Sequence, residues 1–267
     1  MSRTLSRGEA PSAHGGAGVR ELVPVLGAVL LLYFVVPVAV LVVTYSPTAL
    51  ATSLTDAYVV DAAVTSLVAA LCSTAIAVAF GLPLAYWLSQ NSGPLATAAL
   101  GAVVLPLVLP PVVSGMLLLT VVGPGGLGGL TDLALTRSLL GVVAAQTFVA
   151  SPFFVVTAKA AFDGIDAHLE EASRSLGRNW TETMRSVTIP LAKPGILAGL
   201  VLTFARAMGE FGATMMLAYY PRTLPVQIWA SFISDGLDAA LPVAVVLLSV
   251  ALGTLLVVRA LRATPWR

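Results

Sequence analysis

Residues 171–190 read Glu171-Ala172-Ser173-Arg174-Ser175-Leu176-Gly177-Arg178-Asn179-Trp180-Thr181-Glu182-Thr183-Met184-Arg185-Ser186-Val187-Thr188-Ile189-Pro190, a polar island in a chain that is otherwise oil. Only 10% of the 267 residues are charged and 58% are hydrophobic, with a mean hydropathy of +0.94. Soluble domains carry charge on about a quarter of their residues, so the bilayer is the expected solvent. Working outward from the island, apolar runs follow on both sides. A helix needs about 20 such residues to cross ~30 Å of hydrocarbon. Six runs meet that length, near residues 22–44, 60–87, 95–122, 138–161, 190–219 and 239–260. The predicted fold class is therefore all-α, a polytopic membrane protein with six transmembrane helices and short cytoplasmic helices between spans 4 and 5. Gly, Ala, Ser and Thr are dense in 67–81 and 195–212, which suits close helix contact where lipid supplies no hydrophobic drive between helices.

Charge sets the orientation. If all six runs cross, Arg3, Arg7 and Arg20, then Lys159, Arg174, Arg178, Arg185 and Lys193, then Arg259, Arg262 and Arg267 all fall on one side. The other side receives Arg137 and Arg222 among Asp56, Asp61, Asp132, Asp235 and Asp238. The positive-inside rule then puts both termini and the island in the cytoplasm of a multi-pass plasma-membrane protein. The expected organisation is a disordered tail over 1–20, a first span and outer loop over 21–56, and a transmembrane domain over 57–262 with its cytoplasmic segment at 163–189. The run at 22–44 exceeds the 7 to 15 apolar residues of a secretion-signal core and lacks a small-residue cleavage site, so it reads as a retained helix.

Several chemistries are excluded. Gly123-Pro124-Gly125-Gly126-Leu127-Gly128 fits a G-x-G-x-x-G search, but it follows a membrane span and not a strand, so a glycine turn is expected there. No G-x-x-x-x-G-K-[ST] phosphate loop occurs, so ATP hydrolysis would fall to another chain. His14 and His168 are the only histidines and Cys72 the only cysteine, too few for a metal site or a disulfide framework. Asn179-Trp180-Thr181 matches a glycosylation acceptor on the wrong side of the membrane.

Within the island and its approach, Asp163, Asp166, Glu170 and Glu171 precede Arg174, Arg178 and Arg185, the sign order that complements a helix dipole. Ala167, Leu169, Ala172 and Leu176 supply one apolar side. The pattern predicts a helix over 165–176, a stop at Gly177, and a second helix over 180–187 that runs into Pro190.

Glu171-Ala172-Ser173, three residues, Gly177, nine residues, then Val187-Thr188-Ile189-Pro190 resembles the EAA motif of binding-protein-dependent ATP-binding-cassette (ABC) importer permeases, E-A-A-x3-G-x9-I-x-L-P. Ser173, Val187 and Ile189 depart from that pattern in size only. The resemblance implies that Glu171, Ala172, Ser173, Leu176, Gly177, Arg178 and Pro190 couple the spans to a separate ATP-binding subunit, which holds ATP and Mg. It also implies a homodimer, an extracytoplasmic solute-binding protein and the lipid bilayer as partners, with no nucleic acid and no enzyme activity in this chain.

Phe204-Ala205-Arg206-Ala207-Met208-Gly209-Glu210-Phe211-Gly212-Ala213-Thr214 is similar to a stretch of the permeases for molybdate, tungstate and sulfate, as is the proline-broken run Leu105 to Gly115. Residues 219–225 and 236–243 resemble the molybdate/tungstate members more than the sulfate/thiosulfate ones. On that resemblance Pro110, Pro111, Ser114, Arg206 and Glu210 are candidates for the translocation pathway. Arg206 and Glu210 are one helical turn apart, and an arginine or glutamate near the bilayer centre costs about 2.5 to 3.5 kcal/mol. Two readings stay open at this point: a mutually satisfied pair locking the bundle, or a pathway pair with Arg206 accessible to an anion in one state. A divalent oxyanion held tightly would not leave, so selectivity is expected to sit in the external binding protein. The rival to an ATP-driven permease is an ion-coupled secondary transporter, for which Glu210 would be the intramembrane acid.

Overall fold

The computed structural model describes residues 16–44, 52, 55–129 and 135–263, all helix, turn or loop. It separates into two units, 1–46 and 47–267. The first contains α1 (Gly16–Thr44), an apolar helix interrupted by neither Pro24 nor Pro37. Most of the tail expected over 1–20 lies outside the described residues, but 16–20 form the opening turns of α1. The backbone hydrogen-bond ladder thus extends past the apolar run.

The second unit is built on α2 (Ala57–Gln90), α3 (Pro94–Val108), α4 (Pro111–Val122), α5 (Leu139–Asp163), α6 (Ala167–Ser175), α7 (Trp180–Thr183), a π-helical turn (Met184–Thr188), α8 (Ile189–Met208), α9 (Gly212–Leu217), α10 (Leu224–Asp235) and α11 (Leu237–Ala263). Among the described residues of the chain, five helices are long and apolar enough to cross a membrane, or six if α3 and α4 form one broken span. α2, of 34 residues, is about 50 Å long at 1.5 Å per residue, more than the ~30 Å of hydrocarbon requires.

The core is a seam of small residues. α2 buries Ala62, Ser66, Ala69, Ser73, Ala77, Gly81 and Ala85 at three- and four-residue spacing, the side on which a helix meets its neighbours. A Cβ on Gly81 would sit 2.9 Å from Phe154 Cδ1 on α5, and one on Gly199 of α8 would meet Phe154 and Thr157 at 3.3 to 3.4 Å. α2, α5 and α8 therefore pack at backbone distance around Phe154, which is fully buried. Ser66 Oγ accepts a 2.7 Å hydrogen bond from Leu224 N, fastening the first turn of α10 to α2.

Two breaks interrupt the regular helices. Leu109 and Pro110 adopt ψ of 136° and 134°, because each precedes a proline whose ring clashes with helical backbone at the residue before it. The result is a 118° bend between α3 and α4. The second break, Gly209–Phe211, divides what the sequence predicts as one span over 190–219 into α8 and α9. Residues 224–235, left by the sequence as outer loop, form α10 with Pro225 in its first turn, where the missing N–H costs nothing.

Candidate translocation and coupling sites

The two breaks meet. A Cβ on Gly212, at the start of α9, would lie 3.0 Å from Pro111 Cβ and 3.0 Å from Val112 N. One on Gly115 of α4 would lie 2.7 Å from Ala213 O and from Met216 Cβ. Glycine at these two positions is thus what lets α4 and α9 touch backbone to backbone.

Beside that contact sits the ion pair. Arg206 Nη1 lies 2.6 Å from Glu210 Oε2, with Glu210 almost wholly buried and Arg206 about a quarter exposed. Glu210 Oε1 accepts a 2.8 Å hydrogen bond from Ala213 N. The carboxylate therefore does two jobs: it neutralises the last-turn arginine of α8 and it holds the first turn of α9. Ser114 Oγ on α4, Thr214 Oγ1 on α9 and Thr203 Oγ1 on α8 are buried without a hydrogen-bond partner among the described residues. Of the pathway candidates, Ser114 is buried on α4, Pro110 and Pro111 form the α3–α4 break, and Arg206 and Glu210 span the α8–α9 break.

The polar island folds as a corner. Asp166 caps α6 by accepting from His168 N at 3.0 Å. Gly177 takes φ of +85°, a left-handed conformation that glycine adopts without the clash of a Cβ. Asn179 and Glu182 form a reciprocal capping box at the start of α7, with bonds of 2.9 and 3.0 Å. The Asn-x-x-Glu spacing carried that signal in the sequence. Arg178 Nη1 donates to Ser186 Oγ, bracing the turn against the π-helical segment.

The inner face of the corner is polar. Leu169 is 47% exposed and Leu176 84%, while Glu170 and Ser173 are buried. Glu170 Oε1 accepts a 2.6 Å hydrogen bond from Thr188 Oγ1, and Ser173 Oγ and Thr183 Oγ1 are 3.0 Å apart. Arg174 Nη2 stands 3.9 Å from Glu170 Oε2. Glu170, Thr183 and Thr188 are not singled out by the sequence as site residues; Glu170 and Ser173, three apart in one helix, are the polar pair that the structure buries. Once this latch occupies the inside, the apolar side chains Leu169, Leu176 and Trp180 are left facing out. Glu171, Ala172, Gly177, Arg178 and Pro190 are exposed as well, so Ser173 alone of the motif residues turns inward. The corner rests on α2 and α5 through Tyr86, whose ring lies 5.4 Å from that of Phe162 and 6.1 Å from that of Trp180.

Residues 77–264 match the family of binding-protein-dependent transport system inner membrane components. The chain is 63% identical over 247 residues to a probable molybdenum ABC transporter permease protein of Haloferax volcanii, covering 92% of each. It is 35% identical over 236 residues to a molybdate/tungstate transport system permease protein of Thermococcus kodakarensis, covering 88% of this chain and 92% of that one. Among solved structures, a chain of a bacterial alginate ABC transporter in complex with an alginate-pentasaccharide-bound periplasmic protein superposes with a TM-score of 0.72 at 17% identity, covering 92% of this chain and 93% of that one. That likeness speaks to fold alone.

Proposed function

The chain belongs to the binding-protein-dependent transport system inner membrane component family, and from that premise we propose that it carries molybdate or tungstate across the plasma membrane as the permease subunit of an ABC importer. The cargo rests on the names borne by the Haloferax and Thermococcus relatives, together with their coverage of nearly the whole chain. ATP hydrolysis belongs to a separate subunit, which binds ATP and Mg; an external solute-binding protein delivers the anion, and two copies of this chain enclose the path. Both termini and the corner at 167–188 lie in the cytoplasm in this arrangement.

One observation carries the mechanism: the corner around Gly177 presents Leu169, Leu176 and Trp180 outward while buried polar bonds hold its inside rigid. Exposed apolar side chains on a braced turn are what a partner groove needs, with Arg174 and Arg178 supplying rim charge. Because the π-helical turn runs without interruption into α8, displacement of the corner is delivered to the helix whose far end is the Arg206–Glu210 break. There the unpartnered hydroxyls of Ser114, Thr203 and Thr214 offer weak donors, enough to replace part of an anion's hydration and too few to trap it.

The test is ATP-dependent uptake of molybdate and tungstate by the reconstituted complex, with sulfate as competitor. Leu176→Asp, at an 84% exposed position, and Gly177→Arg are expected to leave membrane insertion intact and to abolish both uptake and co-purification of the ATPase. Normal transport in these variants rules out the coupling role. Uptake that follows an ion gradient and ignores ATP rules out the importer, and preferential uptake of sulfate rules out the cargo.

A further inference from the structure

At the end of the helices remote from the coupling corner, the sequence supplies only two basic side chains, Arg137 and Arg222, against Asp56, Asp61, Asp132, Asp235 and Asp238. Arg137 lies two residues before α5, whose opposite end leads into α6; Arg222 lies two residues before α10. Although 85 positions apart, they converge on one side chain. The Arg137 guanidinium carbon lies 5.6 Å from the centroid of the Tyr220 ring. That of Arg222 lies 4.8 Å from the same centroid and 5.1 Å from that of Tyr219. The two tyrosine rings meet edge to face at 4.9 Å.

Neither cation has a carboxylate within ion-pair distance among the described residues. Arg222 donates to Tyr220 Oη at 2.6 Å and to Gln227 Oε1 at 3.2 Å, but its buried Nε has no acceptor among the described residues. Arg137 holds φ of +58°, a conformation uncommon outside glycine that tends to mark functional positions. Beside Arg222 opens a cavity of ≈ 260 Å³ whose walls include Tyr58, Asp61, Thr65, Tyr220, Arg222 and Gln227; Arg137 reaches it through the Tyr220 ring. Although Asp56, Asp61 and Asp235 are described at this end of the molecule, the two arginines meet on an aromatic platform, and among the described residues a buried Arg222 N–H is left without an acceptor. Two like charges facing one ring raise each other's energy, and a mobile dianion with several acceptor oxygens relieves both.

We propose that Arg137 and Arg222, set against Tyr219 and Tyr220, form an anion-receiving site at the outer mouth of this permease that takes a tetrahedral dianion before it reaches the helix breaks. The proposal rests on the oxyanion-import reading. It gives that path an entrance within a surface whose aspartates otherwise repel the cargo. Asp61, on the wall of the same cavity, opposes long residence there, so the site is one of passage. Binding at such a mouth is electrostatic and weakens with ionic strength, the Debye length falling from about 10 Å at 0.1 M to about 3 Å at 1 M salt.

The experiment uses the full permease–ATPase complex in nanodiscs of zwitterionic lipid, without the binding protein, titrated with sodium tungstate by calorimetry at two salt concentrations. Wild type is expected to bind tungstate saturably, and more weakly at high salt. Arg137→Glu, at an exposed position where folding is not at stake, is expected to weaken binding by about tenfold or more. Arg222→Gln is expected to do the same, and Arg222→Lys to recover part of the loss. Wild-type binding that matches both variants, or no binding by wild type, overturns the site. A site filled by lipid phosphate shows itself differently: discs containing anionic lipid abolish tungstate binding and zwitterionic discs show no salt-dependent signal, which also overturns the proposal. Failure of the underlying function is a separate result, in which the complete wild-type transporter with its binding protein accumulates neither tungstate nor molybdate.

Discussion

Glu210 is the residue where the structure makes its sharpest energetic demand. Glu210→Ala removes the counterion of Arg206 and the acceptor for Ala213 N in one step. Breaking a buried pair from one side costs about 3 to 5 kcal/mol, and leaving a buried N–H without its charged acceptor costs about 1 to 3 kcal/mol. Because Arg206 retains about a quarter of its exposure, water offsets part of the first cost, so Glu210→Ala is expected to lose about 4 kcal/mol in total. Arg206→Ala strands the wholly buried partner and is expected to lose about 3 to 5 kcal/mol. The double variant removes both charges and leaves only Ala213 N unsatisfied, a loss of about 1 to 3 kcal/mol. The two losses thus fail to add: their sum of about 7 to 9 kcal/mol exceeds the loss of the double variant by about 4 kcal/mol or more, above the range of about 0.5 to 3 kcal/mol usual for touching residues, because each single variant strands a charge that the double variant removes. Glu210→Gln keeps an acceptor for Ala213 N and should fall between wild type and Glu210→Ala. The assay is equilibrium unfolding of the purified permease in mixed micelles, with uptake measured on the same preparations. Additive losses within 0.5 kcal/mol, which is what distant, independent residues show, refute the reasoning. Strong coupling accompanied by retained uptake in the double variant assigns the pair to packing alone.

Gly115→Leu forces a side chain against Ala213 O and Met216 Cβ at the α4–α9 contact; it should cost about 1 to 3 kcal/mol by overpacking and block uptake, read by thermal shift and transport assay. Thr188→Val deletes the bond to Glu170 Oε1 with little change in volume; a loss of about 1 to 3 kcal/mol is expected, with ATP hydrolysis continuing while uptake per ATP falls. Cysteines introduced as Ser175→Cys and Asp235→Cys, both at exposed positions, should react with an impermeant maleimide from opposite faces of the membrane, Ser175→Cys from the cytoplasm. Labelling of both from one side refutes the proposed orientation.

Hydropathy made the long helices legible, since a run of about 20 apolar residues has few fates other than crossing a bilayer. The break at Leu109–Pro110 was legible too, because two successive prolines act on the residues immediately before them. Gly177 could be read as a stop on the same local grounds. The break at Gly209–Phe211 could not, for one glycine is tolerated inside many helices. What divides α8 from α9 is the backbone contact with α4 and the inward turn of Glu210, both of them tertiary. The direction in which the apolar side of the corner faces is not local either, since it depends on what the neighbours supply. Thr183 and Thr188 supply partners for Ser173 and Glu170, so these two turn inward and Leu169 and Leu176 are left exposed.

The same device recurs at both ends of α8. At the corner end a buried carboxylate, Glu170, ties α6 to Thr188 at the approach to the helix; at the other end a buried carboxylate, Glu210, ties α9 to the helix's last turn. Each fixes a short helix to α8 through a charge-assisted bond out of reach of water, where it is worth more than its exposed counterpart. A flexible loop at either place would absorb displacement. These two joints oppose that, and in the proposed mechanism a shift imposed on the corner at Leu176 is passed along α8 to the contact between Gly115 and Ala213. Weakening either joint should therefore lower transport per ATP before it lowers ATP hydrolysis. By that criterion Thr188→Val and Glu210→Gln, altered at opposite ends of one helix, should share a kinetic phenotype, and a clean separation between them means that α8 does not carry the coupling.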